Sequence, residues 1–134
     1  MRNTFSEELY KNAKKNNKIN VVVADISPAG SMQNFRKKYP KRFINVGVAE
    51  QVMIGLCAGL ALRGKRPFAY TIAVFTLYRP FEMIRDDICY QNLPVTLVGM
   101  GAGTIYANLG GTHLAQEDIS VAKSLPNMSI IAPS

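Results

Sequence analysis

Acidic, aromatic and imidazole side chains follow the apolar segments of this 134-residue chain. Glu50 comes after the apolar run Phe43-Ile44-Asn45-Val46 and before a run of apolar, small residues from Val52 to Leu62. This order predicts that Glu50 lies in the first turn of a helix directly after a strand, facing the crevice where α/β folds bind ligands. A carboxylate there can exchange a proton with a bound ligand. It also complements the helix dipole by about 0.3–1 kcal/mol, so a structural role stays open.

Four further residues are candidates for the same crevice. Asp25 closes the β-branched run from Ile19 to Ala24, and it can serve a ligand or cap a turn. Phe75 and Tyr78 are three positions apart, so they share one helix face and can present two rings to one ligand, although such pairs are also common in cores. His113 is the only histidine, and both a structural and a ligand-facing role stay open.

The order of apolar runs predicts an α/β fold in which strands and helices alternate. Buried β-branched runs predict parallel strands, and the longer runs between them predict helices. The sequence Thr4-Phe5-Ser6-Glu7 has the form of a capping box, which predicts that the first helix begins there and extends to about Lys15. The predicted strands cover residues 19–24, 43–46, 67–72, 94–100 and 129–132. The predicted further helices cover residues 32–39, a stretch with Glu50 in its first turn that ends at Leu62, residues 75–91, and a short stretch that starts at residues 116–118.

The composition, with 48% hydrophobic residues, favours one domain over residues 1–134 with a substantial core. No apolar run approaches the roughly 18–20 residues that a membrane-spanning helix needs, so we expect no membrane segment and a cytoplasmic location. Cys57 and Cys89 lack metal-ligand spacing, which predicts two buried thiols and no metal site. The net charge of +7 could serve a polyanion, but no nucleic-acid-binding motif accompanies the basic clusters, so we do not expect nucleic acid as a partner.

Five motifs occur here in the order found in one enzyme family. They are Ala24-Asp25, Arg42 to Gln51 with Gly47-Val48-Ala49-Glu50-Gln51 at its end, Thr71 to Arg85, Gly110-Gly111-Thr112-His113, and Leu125-Pro126-Asn127 leading to Ile131-Ala132-Pro133. Together they resemble the pyrimidine-binding domain of transketolases and deoxyxylulose-phosphate synthases. The resemblance implies a three-layer, mostly parallel sheet with helices on both faces. It also implies that the domain is truncated at its C-terminal end, because such domains continue through another helix and strand.

The resemblance further implies a cofactor, thiamin diphosphate, and a role for each candidate residue. Glu50 would share a proton with ring N1′ of the aminopyrimidine. Phe75 and Tyr78 would pack against that ring. Asp25 would lie near the thiazolium across a subunit interface, and His113 would face the substrate.

The resemblance implies only half of an active site, because the family's diphosphate-binding G-D-G motif is absent from this sequence. The diphosphate and its Mg²⁺ would belong to a partner chain, in a homodimer or a heterotetramer. The loop of residues 27–31 would help to hold a sugar phosphate; Ala29 stands at the family's hydroxyl position, with Ser27 and Ser31 beside it. The implied activity is transfer of a two-carbon ketol unit between sugars. The alternatives are a subunit of the 1-deoxy-D-xylulose-5-phosphate synthase type and a non-catalytic interaction module.

Overall fold

Four parallel strands form a sheet in the described part of this chain. The computed structural model describes residues 1–26 and 32–133, so the expected phosphate loop with Ser27, Ala29 and Ser31 lies outside the described residues. The strands are β1 Ile19–Val23, β2 Phe43–Asn45, β3 Arg66–Ile72 and β4 Thr96–Met100. Their order across the sheet is β2-β1-β3-β4. These bounds agree with the predicted strands to within two residues, because each strand is an apolar run bounded by turn residues.

Helices cover both faces of the sheet. On one face Val21 and Val23 pack against α1 (residues 2–15) and α2 (residues 32–38). On the other face Val22 packs against α3 (residues 50–62) and the segments that follow β3. This alternation follows from the two-residue period of a strand and confirms the three-layer α/β fold. The helices are α1 Arg2–Lys15, α2 Met32–Lys38, α3 Glu50–Leu62, α4 Ala73–Leu77, α5 Phe81–Met83 and α6 Asp118–Lys123, with a π-helical segment Ile84–Cys89 after α5.

Two predictions about the ends of the chain are wrong. The first helix begins at Arg2, and the Ser6 hydroxyl donates to the Asn3 carbonyl at 2.8 Å, so Thr4-Phe5-Ser6-Glu7 lies within the helix and is no capping box. Residues 129–132 form no strand, because they pair with none of the described strands. A strand is held by the hydrogen bonds of a neighbouring strand, so an apolar run alone does not make one.

The single helix predicted over residues 75–91 is also wrong. It is divided after Leu77, and α5 begins only at Phe81. Pro80 lies in the break; its ring removes a backbone N–H donor, which interrupts a helix. Tyr78 and Arg79 therefore lie in the short segment between α4 and α5.

All four strands point their C-terminal ends to one edge of the sheet, because they are parallel. Asp25, Asn45, Ala73 and Gly101 follow or end these strands and lie at that edge. No helix within residues 1–26 and 32–133 is long and apolar enough to cross a membrane. Candidate residues from separate parts of the sequence therefore lie at the same edge of the sheet.

Candidate active site

Glu50 is the first residue of α3, as the sequence predicts, and its side chain is buried with 5% exposure. The chain reaches it from β2 through Gly47, whose φ of +75° lies in the left-handed region that favours glycine. No side chain caps this helix N-terminus, since the N-cap residue is Ala49. The positive end of the helix dipole therefore acts directly on the Glu50 carboxylate.

Arg79 is the partner of this buried carboxylate. Its Nη1 atom donates to Glu50 Oε1 at 3.0 Å, while the Arg79 side chain stays 45% exposed. A carboxylate at this depth needs a compensating charge, which Arg79 supplies from the solvent side. Among the described residues, Oε1 is the hydrogen-bonded oxygen of Glu50, so Oε2 is available to a ligand.

Phe75 connects this ion pair to His113. The Arg79 guanidinium carbon lies 3.8 Å from the centre of the Phe75 ring, and the rings of Phe75 and His113 meet edge to face with centres 5.1 Å apart. The structure thus brings Glu50, Phe75 and His113 together through Arg79. The sequence did not identify Arg79 as a site residue, although its position four residues after Phe75 places both on one helix face.

His113 lies in a short 3₁₀ turn, Gly111–His113, in the loop that follows β4. A 3.0 Å hydrogen bond joins Thr112 Oγ1 to Nδ1 of His113. Because Nδ1 is engaged and the ring packs on Phe75, Nε2 is the nitrogen that can meet a ligand.

Asn45 joins the ends of β1 and β2 beside Glu50. Its Oδ1 accepts the backbone N–H of Asp25 at 2.9 Å and that of Gly47 at 3.0 Å, and its Nδ2 donates to Asp25 Oδ1 at 3.2 Å. Asp25 itself is exposed, with φ of +44°. The predicted residue Asp25 is therefore at the expected sheet edge, where Asn45, which the sequence did not single out, holds it.

The family model described as "Transketolase, pyrimidine binding domain" matches residues 1–134. The chain belongs to this transketolase family. A Methanocaldococcus jannaschii protein named as a transketolase C-terminal section is 40% identical over 134 residues, which are all of this chain and 42% of that protein. The 1-deoxy-D-xylulose-5-phosphate synthase of Clostridium perfringens strain SM101 is 40% identical over 130 residues, which are 97% of this chain and 21% of the synthase. These relatives are enzymes by name, so the family is an enzyme family.

One solved structure supports the same fold, and its description names a tetramer. It is described as a split-gene transketolase in an inactive beta4 tetramer, and it is 41% identical with a TM-score of 0.80. The match covers 94% of this chain and 40% of that one. The transketolase pyrimidine domain described above therefore spans less than half the length of each of these relatives.

Tyr78 of this transketolase-family domain is hydrogen-bonded through its hydroxyl at the start of α6. Its hydroxyl donates to Glu117 Oε2 at 3.1 Å, and its ring lines a cleft of about 540 Å³ with Phe81, Val121 and Ser124. Burial, followed by the hydrogen bond to the Glu117 carboxylate, raises the pKa of the Tyr78 hydroxyl. Of the two predicted rings, Phe75 is thus the one in direct contact with Arg79 and His113.

The two cysteines lie in the interior of the domain as free thiols. Burial raises the pKa of Cys57 from 9.0 to about 12 and also raises the pKa of Cys89. Cys57 is therefore a neutral thiol near pH 7, and such thiols are poor nucleophiles and metal ligands. In the described part of the chain, no three His, Cys, Asp or Glu side chains cluster in a way that could hold a metal ion.

Proposed function

We propose that this chain is the pyrimidine-binding part of a thiamin-diphosphate-dependent enzyme that transfers a two-carbon ketol unit between sugars or sugar phosphates. One observation carries the proposal: the buried Glu50 carboxylate at a helix N-terminus lies in one contact network with Phe75 and His113. The family model and the transketolase relatives support it.

The groups around Glu50 fit the aminopyrimidine of thiamin diphosphate. A flat, weakly basic ring needs an acid that can share a proton with it and an aromatic surface that can orient it. Glu50 offers Oε2 for the first need, and the half-buried Phe75 ring serves the second. A ring contact of this kind contributes roughly 0.5–1.5 kcal/mol beyond burial. When bound, the cofactor supplies the electron sink for breaking and forming a carbon–carbon bond.

The residues of this chain bind, orient and hold protons in the proposed reaction. Glu50 holds the proton shared with ring N1′, which favours the reactive tautomer of the 4′-amino group. Phe75 orients the ring, because of the two predicted rings it is the one in contact with Arg79 and His113. His113 would present Nε2 to an oxygen of the sugar substrate, and Asp25 would lie near the thiazolium at a subunit interface.

The diphosphate and its Mg²⁺ belong, in this proposal, to a partner subunit in a homodimer or heterotetramer. Support comes from an apolar face of α3 that begins near Glu50. Its members recur at three- and four-residue spacing and are exposed: Val52, Gly55, Gly59 and Leu62. Exposed apolar patches on soluble domains mark protein contacts. A partner seated on this face would close the Glu50 site. The buried free thiols match a reducing compartment, so a cytoplasmic location is part of the proposal.

The substitution Glu50→Gln tests the proposal in the enzyme assembled with a diphosphate-binding subunit from the same genome. We expect turnover to be lost, because an amide cannot share the proton, while assembly measured by size-exclusion chromatography is retained. Glu7→Gln, at an exposed glutamate in α1, is the matched control and should leave turnover unchanged. Unchanged turnover in Glu50→Gln would refute the role of Glu50.

A second candidate is a subunit of the 1-deoxy-D-xylulose-5-phosphate synthase type, since that synthase is as similar to this chain as the transketolase section. Pyruvate and a ketose offered separately as donors to the assembled enzyme distinguish the two. Turnover with pyruvate as donor but not with the ketose would favour the synthase. An assembly that holds no cofactor and binds polyanions in a salt-dependent way would favour a non-catalytic interaction module.

A further inference from the structure

Arg79 contacts both groups that we assign to the aminopyrimidine. It donates to Glu50 Oε1 at 3.0 Å and lies 3.8 Å from the centre of the Phe75 ring. We propose that Arg79 is the positioning residue of the site, which holds one oxygen of Glu50 so that the other faces the cofactor ring. This inference rests on the proposed function.

Arg79 reaches its two partners in two different ways. It follows Phe75 by four residues, just after the end of α4 at Leu77, and side chains at this spacing meet on one helix face. Its guanidinium also donates to Glu50 at the start of α3. The two ends of this ion pair are separated by 29 residues of sequence, so local helix pairing does not produce it.

The shape of the guanidinium fixes the geometry. A guanidinium is planar, and its N–H groups lie in that plane, so stacking on a ring sets the direction in which it donates. With its guanidinium carbon 3.8 Å from the centre of the Phe75 ring and an N–H group on Glu50 Oε1, Arg79 is held at two points, which narrows the angles at which it can donate. Glu50 Oε2 is then fixed relative to the same ring on which the aminopyrimidine is oriented. A lysine ammonium, which is a point charge, would pair with Glu50 without this angular constraint.

Burial makes the positioning effective. The Glu50 side chain is 5% exposed and Arg79 45% exposed, so Arg79 closes the solvent side of the carboxylate. Without the guanidinium, water reaches Glu50 and the carboxylate is free to rotate. The Phe75 ring would also lose the group that covers it, and that ring is in contact with His113.

The variants Arg79→Met and Arg79→Lys test the inference in the assembled enzyme, with Arg85→Met as the matched control. Arg85 is an exposed arginine of the next helical segment and pairs with Asp86. We measure the dissociation constant of thiamin diphosphate by equilibrium dialysis, and kcat and KM for the sugar. In Arg79→Met we expect cofactor affinity and kcat to fall by about 10- to 100-fold, the scale on which positioning partners act at ligand sites. The sugar KM and Arg85→Met should stay within about threefold of wild type.

Arg79→Lys should recover only part of the loss, because it restores the charge without the planar contact. In a Glu50→Gln background, Arg79→Met should cause no further loss of cofactor affinity, since Arg79 acts through Glu50. Equal or tighter cofactor binding in Arg79→Met would overturn the inference, because the guanidinium would then compete with the ring for Glu50. Full recovery of cofactor affinity in Arg79→Lys would also overturn it. So would an equal loss of affinity when Arg79→Met is added to the Glu50→Gln background.

These outcomes are separate from a failure of the proposed function. A wild-type assembly that does not bind thiamin diphosphate would refute the function itself. A wild-type assembly that binds it, with Arg79→Met unaffected, would refute only the role of Arg79. Thermal unfolding of each variant shows that it is folded, and Arg79→Gln, which keeps an N–H donor, replaces Arg79→Met if that variant does not fold.

Discussion

Gly99 of β4 lies against Ala73 at the start of α4. The substitution Gly99→Ala should therefore displace the site residues that α4 carries. A Cβ atom at this position would lie 2.9 Å from Ala73 Cα and 3.0 Å from Ala73 Cβ. Ordinary carbon–carbon contacts are about 3.5–4.0 Å, so the start of α4 must move away from β4 by roughly 0.5–1 Å. Because α4 carries Phe75, this movement reaches the Arg79 and Glu50 contacts.

The size of the effect follows from two opposing terms. Adding a methyl group to a tight contact costs about 1–3 kcal/mol, and replacing a strand glycine recovers about 0.5–1 kcal/mol of backbone entropy. We therefore expect Gly99→Ala to lower the free energy of unfolding by up to about 2.5 kcal/mol. The effect on function should be larger, since a misplacement of about 1 Å can reduce turnover by about 10²-fold.

Urea unfolding of the isolated chain measures the first quantity, and turnover of the assembled enzyme measures the second. Gly59→Ala is the control for stability, because a Cβ atom there has no atom within 4 Å and the position lies inside α3. It should raise the free energy of unfolding by about 0.5–1 kcal/mol. If Gly99→Ala were as stable as wild type and fully active, β4 would not set the position of α4 and the reasoning would be refuted.

Two further predictions concern pH and the sheet edge. Burial raises the pKa of Cys57 from 9.0 to about 12, so its contribution to stability is complete below pH 9 and is lost as pH rises toward 12. The free energy of unfolding should fall by up to about 1.4 kcal/mol per pH unit in that window, and Cys57→Ala should reduce this slope in urea titrations; an equal slope in both proteins would contradict it. Asn45→Ala removes the acceptor of the Asp25 and Gly47 amides and should cost about 1–2 kcal/mol with weaker cofactor binding. An unchanged urea midpoint and cofactor affinity would show that Asn45 does not hold the edge.

The strands and the start of α3 could be predicted because each depends on a local pattern. β1 is a run of five buried residues, and Glu50 follows directly from the change between an apolar strand and an apolar helix. The positions of Asp25 and His113 after strands also follow from that order. None of these inferences needs a contact between distant residues.

The remaining features depend on tertiary contacts that a sequence pattern does not contain. The spacing places Arg79 beside Phe75, but its ion pair with Glu50 joins residues 29 positions apart and exists only in the folded chain. Asn45 makes two of its three hydrogen bonds to Asp25, 20 positions away at the end of β1, and no periodicity signals them. The apolar run at residues 129–132 is a sufficient local signal for a strand, but the neighbouring strand it requires is not among the described elements.

The parallel order of the sheet also sets the sequence of events during synthesis. β1 lies between β2 and β3, so both of its edges are paired only after the ribosome has synthesised β2 and β3. Pairings of this kind join distant positions and form slowly. Glu50 and Arg79 meet only after β3 has docked and α4 has emerged, and His113 arrives only after β4. The site therefore forms only after β4 has emerged, and a nascent chain that can bind a ligand there has already completed its sheet through β4.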